Sequence, residues 1–360
     1  MHRRGRSGNE RSLSFKMPLA QSGFACQIGL QTSVLNTHRQ MSTSLRFKHR
    51  GDLSQILGNR KIISSGAGPN GEAAILAVTP DLEKEPFGRE EQEGFASFPL
   101  SKARKPYPAL FMRFDGEVIQ ETELHGVDSA FPFIQPLPNG EILVVGGRCH
   151  YRKGNPEKNA SVYAPDGRLS RQFVLGDGIN GVQTTSDGTI WVSYFDEGVF
   201  GNFGWDKPLG SSGLVCFDPT GEIVWEFQPP DGVDAIADCY AFNVAEDSVW
   251  ACYYTEFPVV KIDSKKKVWA WKNNIPGANA IVADRGRVLL WGGYGEQRSS
   301  CMLQEINGEV LETPLELTPS LPPGFDFSST SFVGRGSVLH AFSGNHWLTF
   351  DLAGSSKLDT

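Results

Sequence analysis

The sequence offers few of the signatures on which a reaction is usually read. Across its 360 residues there is no Gly-x-Ser-x-Gly elbow to present a nucleophilic serine. No phosphate-cradling glycine loop or dinucleotide fingerprint appears; the Gly292-Gly293 doublet follows a strand pattern but lacks the rest of either motif. The histidines after residue 50 (His125, His150, His340 and His346) show no spacing that would put two metal ligands on one helix face. The six cysteines are scattered without a CxxC pair, which argues against both a zinc site and a disulfide framework and favours a reducing, cytoplasmic setting. No apolar run approaches the ~18 residues of a membrane helix, and no long amphipathic helical pattern follows residue 60. Neither membrane nor nucleic acid is therefore expected as a partner, the latter for reasons of charge.

Charged residues make up only 21% of the chain, and the net charge of −7 is unevenly spread. Residues 1–50 carry nine Lys/Arg against the single acid Glu10, which leaves −15 for the remainder. An acidic body of this kind repels backbone phosphates. The basic, serine-rich start has the composition of a targeting leader. The plainer expectation is that residues 1–42 form a disordered extension, with Met17 or Met41 as the functional start, ahead of one domain over 43–360.

What the chain does have is a repeat. A polar turn followed by an apolar strand recurs at Asn139-Gly140-Glu141-Ile142-Leu143, Asp187-Gly188-Thr189-Ile190-Trp191 and Asp247-Ser248-Val249-Trp250. It returns at Gly286-Arg287-Val288-Leu289 and Gly336-Ser337-Val338-Leu339, with a degenerate copy at Asn70-Gly71-Glu72-Ala73-Ala74. Asp-Gly and Asn-Gly between apolar runs are strong hairpin signals, because the tight turn requires positive φ. Each copy is followed by a second hairpin, such as Tyr163-Ala164-Pro165-Asp166-Gly167 or Phe217-Asp218-Pro219-Thr220-Gly221. Four strands in roughly 40–60 residues is the period of a propeller blade. The expected fold is thus an all-β propeller of six blades (alternative: seven), monomeric, with units near 58–124, 129–175, 180–229, 236–273, 276–317 and 325–354.

The last unit lacks an outer strand, and a closed ring tolerates no open edge. Ser44-Leu45-Arg46-Phe47-Lys48 is the best candidate to supply it. Within the aligned repeat, Ile142, Ile190, Val249, Val288 and Val338 are predicted to face one neighbouring blade, and Leu143, Trp191, Trp250, Leu289 and Leu339 the other. Gln135, Gln183 and Ser331, with Asn243 if its turn is one residue shorter, are expected to line the channel. His340 reads as a packed or channel-lining histidine.

Acids and amides gather in the loops of one face: Asp128, Asp177, Asn180, Asp196, Glu197, Asp238 and Glu256. Carboxylates converging on an axis repel one another unless a cation or a proton intervenes, and an all-oxygen cluster suits Ca²⁺, Mg²⁺ or Mn²⁺. The alternative is that they cap turns. Asp196 and Glu197 are the first candidates for chemistry, with His150 as a general base. They open the longest crossing loop, residues 195–212, whose Phe195, Phe200, Phe203 and Trp205 suggest a lid or a protein-docking surface. Asp177, Asn180, Tyr254 and Trp205 are candidates to bind a small polar ligand.

The Asp-Gly-x-Ile-Trp-Val strand at 187–192 resembles those of NHL-repeat proteins, streptogramin-lyase-like propellers and the senescence-marker/gluconolactonase family. The likeness spans the blade pattern through residues 130–350 and is one of fold. The lactonase resemblance implies a divalent metal held at the channel mouth by a Glu, an Asn and an Asp from different blades. Glu197, Asn180 and Asp238 match that set in type, and metal-assisted hydrolysis of a lactone or ester would be the associated chemistry. The rival reading is a non-enzymatic scaffold that docks a protein through loop 195–212.

Overall fold

A computed structural model describes residues 44–91, 97–284 and 286–355. The expectation for residues 1–42 falls outside them. Six four-stranded antiparallel units follow one another along the chain. Blade 1 comprises Lys61–Ala67, Ala73–Val78, Lys102–Phe114 and Val118–Ser129. Blade 2 comprises Pro132–Pro136, Ile142–Gly146, Ala160–Tyr163 and Leu169–Phe173. Blade 3 comprises Ile179–Thr184, Ile190–Tyr194, Leu214–Phe217 and Ile223–Glu226. Blade 4 comprises Asp238–Val244, Ser248–Tyr254, Val259–Asp263 and Val268–Trp271. Blade 5 comprises Ala280–Asp284, Arg287–Trp291, Cys301–Asn307 and Leu315–Ser320. Blade 6 has Thr330–Arg335, Val338–Ser343 and His346–Asp351 from its own repeat, and Lys48–Asp52 as its fourth strand. The first strands of the blades neighbour one another in a closed ring, so six blades, not seven, complete a β-propeller.

Closure differs from expectation in an instructive way. The strand that finishes blade 6 is Lys48–Asp52, antiparallel to His346–Asp351. Ser44–Arg46 instead runs parallel to Thr318–Ser320 and extends blade 5. Phe47, between the two, is buried edge-on to Trp291 (6.0 Å, 88°) and near Phe332 and Phe350. One short segment therefore bolts two adjacent blades.

Alternation along the strands sets the core. Buried apolar residues form six clusters, one at each blade interface. Ile142 and Val144 pack toward blade 1, Leu143 and Val145 toward blade 3. The predicted series holds through blade 5, where Val288 faces blade 4 and Leu289 faces blade 6. In blade 6 it slips by one: Leu339 faces blade 5 and His340 takes the place facing blade 1. The cause is the turn. Arg335 pairs with Val338 across Gly336-Ser337, so Gly336 is the first turn residue, whereas Gly286 is the second between Asp284 and Arg287. A one-residue shift exchanges the two faces of a strand.

His340 is packed, not channel-lining. Its ring stacks on Trp347 (5.8 Å, 7°), and its Nδ1 accepts the indole Nε1–H (3.1 Å). The proton is then on Nε2, which is buried without a partner. Burial first, and then Arg335 and Arg50, push its pKa down to about 3.

The channel amides are stitches between blades. Gln135 Nε2 donates to the Ala67 carbonyl of blade 1 (3.4 Å), and its Oε1 accepts from Thr184 N of blade 3 (3.2 Å). Gln183 donates to the Gly334 carbonyl of blade 6 (3.0 Å) and accepts from Val244 N of blade 4 (2.8 Å). Asn243 does join them: it donates to the Ile281 carbonyl of blade 5 (2.8 Å) and accepts from Gly336 N of blade 6 (2.7 Å). Ser331 does not, because the slipped register puts Val333 opposite His340 at that level. Buried Arg335 donates to the Thr184 carbonyl (2.5 Å) and closes the base of the channel.

Candidate functional site

The inner strands of blades 3 and 4 each carry a β-bulge three residues before their channel amide. The extra residues are Asn180, between the pairs Ile179–Tyr194 and Gly181–Ser193, and Tyr240, between Cys239–Tyr253 and Ala241–Cys252. A bulge leaves one residue unpaired and re-aims its side chain. Here both side chains line the mouth of the channel, a cavity of about 150 Å³. Asn180 Nδ2 donates to the Cys239 carbonyl (2.6 Å), tying one bulge to the other. Ser193, Phe242 and Asn279 line the same cavity, and the buried Ser193 Oγ has no hydrogen-bond partner.

Two carboxylates lie near Tyr240, at the rim of this mouth and outside the lining of the cavity itself. Asp238 opens the inner strand of blade 4 and Asp196 opens loop 195–212. Burial, and then the charge of Asp196, push the Asp238 carboxyl up to about 6. Among the described residues neither acid has a salt-bridge partner. Three of the other acids expected to converge here, Asp128, Asp177 and Glu197, are paired with cations within the protein, whereas among the described residues Glu256 is not. Lys102 Nζ lies 2.9–3.0 Å from both oxygens of Asp128. Arg148, which no repeat or motif singles out, holds Asp177 and Glu197. It donates from Nε to Asp177 Oδ1 (3.0 Å) and from Nη2 to Oδ2 (2.9 Å), and Nη2 lies 2.5 Å from Glu197 Oε2. Burial pulls the guanidinium down, but the two carboxylates outweigh it and hold its pKa above the ordinary value.

Several sequence candidates consequently have structural work. Asp177 is buried and also accepts from Cys149 N (2.7 Å). Trp205 is buried and donates its indole N–H to the Cys149 carbonyl (2.7 Å), with Tyr151 at 5.0 Å. Arg148 lies 3.9 Å from the Phe203 ring centre and 5.4 Å from that of Phe195. Loop 195–212 is thus fastened to the crossing loop of blade 2, and of its four aromatic residues only Phe200 is largely exposed (72%). His150 is drawn elsewhere, against Phe203 (4.3 Å) in a separate cleft shared with Lys102 and Glu157.

Two of the expected metal ligands already have partners: Glu197 Oε2 lies beside the Arg148 guanidinium, and Asn180 Nδ2 donates to the Cys239 carbonyl. Glu197 is already paired with Arg148, so a dication bound to it would sit against a guanidinium. No group of three or more His, Cys, Asp or Glu side chains suited to a metal occurs among the described residues.

Tyrosines and a phenylalanine border the acidic pair. Tyr240 stacks on Phe257 (5.7 Å, 12°), and Tyr294 meets Tyr240 edge-on with their hydroxyls 3.0 Å apart. Burial, and then the Tyr294 hydroxyl, raise the Tyr240 pKa. Tyr254 joins the edge of Phe257 (5.7 Å) and is 46% exposed, as Tyr294 is 50% exposed. Of the ligand candidates, Asn180 and Tyr254 therefore belong to or border this mouth, whereas Asp177 and Trp205 are buried against the crossing loop of blade 2. Tyr240 and Tyr294 went unselected because aromatic residues in a repeat read first as packing. Arg148 lies immediately after the Gly146-Gly147 doublet, one position before the crossing loop seemed to begin.

The YxzG family model matches residues 212–285, from the close of the aromatic loop through blade 4 and the first strand of blade 5. No curated protein matches the chain. Among solved structures, a catalytically inactive virginiamycin B lyase from Staphylococcus aureus with quinupristin is 15% identical, covering 85% of this chain and 99% of that one (TM-score 0.44). BamB from Moraxella catarrhalis is 10% identical, covering 78% and 68% (TM-score 0.40). The Pan2 WD40 domain of Neurospora crassa is 12% identical, covering 86% and 94% (TM-score 0.41).

Proposed function

We propose that the chain binds a small polar ligand bearing a positive charge, such as an alkylammonium group, at the channel mouth over blades 3 and 4. The observation that carries this reading is the Asp196–Asp238 pair, two neighbouring acids without an internal cation, with Asp238 held up at about 6. A bound cation would relieve their repulsion. The faces of Tyr240, Tyr254 and Tyr294 would favour an organic cation over a hydrated inorganic one, and Ser193 Oγ and Asn180 supply acceptors deeper in. With Glu197 beside Arg148, the acidic pair favours binding of an organic cation over metal-assisted hydrolysis of a lactone or ester.

The test is calorimetric titration with tetramethylammonium and methylammonium at pH 5 and pH 7.5. Binding should weaken about tenfold at the lower pH, as Asp238 takes up a proton, and should be lost in Asp196→Asn and Asp238→Asn. Equal binding by wild type and both variants would remove the mouth as the site.

A further inference from the structure

On the face opposite the mouth, the turns joining first and second strands leave clefts between neighbouring blades, and two of these are built on the same plan. In blade 3, cross-strand pairing places Trp191, Cys216 and Trp225 in one row. In blade 4 the same row is Trp250, Lys261 and Trp269. The cleft between blades 3 and 4 is filled from within. Lys266, on the outer turn of blade 4, sets its ammonium 4.0 Å from the Trp191 ring centre, 6.0 Å from that of Trp225 and 3.6 Å from Cys216 Sγ. What remains there is about 230 Å³.

The cleft between blades 4 and 5 receives no lysine from the outer turn of blade 5; the ammonium groups near its rings are blade 4's own, Lys261 (6.0 Å from the Trp269 ring centre) and Lys267 (4.7 Å from the same ring). Where blade 4 sends Lys266, the outer turn of blade 5 offers Gly308, whose carbonyl accepts from Trp271 Nε1 (3.0 Å). The open volume is about 600 Å³, within the range of ligand sites. Trp250 and Trp271 stack in its wall (5.8 Å, 16°), beside the partly exposed Trp269. The charges that line it balance. Lys261 faces the tryptophans (5.3 Å from Trp250), Asp284 is paired with Arg287 (2.6 Å), and Asp247 accepts from the Ser248 hydroxyl (2.9 Å). A cationic guest would meet Lys261, and an anionic one the two aspartates. The lining suits a neutral guest with a flat apolar face for indole and a rim of hydroxyls for Asp247, Lys261 and Ser337.

We propose that the cleft between blades 4 and 5 is a second binding site, specific for a neutral oligosaccharide segment of two or three pyranose units. The sugar's C–H face lies against the tryptophan row where Lys266 lies in the neighbouring cleft, and its hydroxyls exchange hydrogen bonds with Asp247 and Lys261.

The experiment is titration of the full chain with maltotriose, cellotriose and N-acetylated chitotriose, followed by tryptophan fluorescence and saturation-transfer NMR. At least one should bind at millimolar concentration or better, with affinity reduced about tenfold or more in Trp269→Ala and in the exposed Asp247→Ala. Lys266→Ala and Asp238→Asn should leave it unchanged, which separates this cleft from both its neighbour and the channel mouth. Unfolding curves confirm that the variants fold, and Asp247→Ala carries the test if Trp269→Ala does not. The proposal is overturned if none of the three sugars binds at tens of millimolar, or if Asp247→Ala binds as wild type does.

Discussion

Replacing Asp238 by Asn should make the protein more stable and less able to bind, and the gain should depend on pH in a defined way. The carboxyl rises from its ordinary 3.8 to about 6 on folding, through burial and then Asp196. Between those values the folded state holds a proton that the unfolded state has released. Ionised Asp238 therefore destabilises the fold progressively as pH rises from about 4 to 6, and by a constant amount above that. At full value the shift corresponds to about 3 kcal/mol. The side chain is only half-buried, and solvent screening leaves about 1–2 kcal/mol. Asn keeps the shape and removes the charge. Urea unfolding should show Asp238→Asn more stable than wild type by that amount at pH 8 and indistinguishable at pH 4. Asp196→Asn should recover only the smaller, Coulombic part. If the stability difference between Asp238→Asn and wild type is the same at pH 4 and pH 8, or reversed in sign, Asp238 is not an uncompensated carboxylate and the account of the mouth fails.

Other expectations are independent of the ligand. Arg148→Met leaves Asp177 buried without its partner and should cost about 3–5 kcal/mol, with limited proteolysis newly cutting loop 195–212; an intact loop would show that Arg148 does not fasten it. Gly334→Ala would place a Cβ 1.9 Å from the Ile281 carbonyl oxygen and should destabilise by roughly 3 kcal/mol or more in thermal or urea unfolding. Gly66→Ala, whose Cβ meets the movable Gln135 Nε2 at 3.1 Å, should cost clearly less. His340, held near 3 when folded, is charged in the unfolded chain first, so stability should fall as pH drops below about 6.5. His340→Gln, which can still accept from Trp347, should flatten that fall in denaturation series between pH 6.5 and 4.

The repeat made the blade count and most of the packing legible, because turn chemistry and two-residue alternation act locally and recur. What it concealed were departures of a single residue. Gly336 occupies a different turn position from Gly286, and that alone reversed the predicted faces of Val338 and Leu339. The bulges that aim Asn180 and Tyr240 leave no mark in a pattern of apolar residues, since the strand on either side still alternates. The loops show which acids to consider, yet which of them remain free depends on Lys102 and Arg148, partners about 26 and 29 residues from Asp128 and Asp177. Charge balance at a site is a long-range property, and one strand at a time does not reveal it.

The nine residues 44–52 that span blades 5 and 6 also bear on how the molecule is made. They pair with Thr318–Ser320 and His346–Asp351, close to three hundred positions downstream. During synthesis the first five blades can stack as they emerge, and Ser44–Arg46 can pair once blade 5 is out, but Lys48–Asp52 has nothing to pair with until the sixth leaves the ribosome. Until then Lys48–Asp52 is an unpaired strand, and any stall beyond residue 320 prolongs the interval in which it can capture another chain. Ring closure, the contact of greatest sequence separation, should be the slow step of refolding. A peptide copying residues 44–52, supplied in excess, would compete for the same two edges and hold the ring ajar.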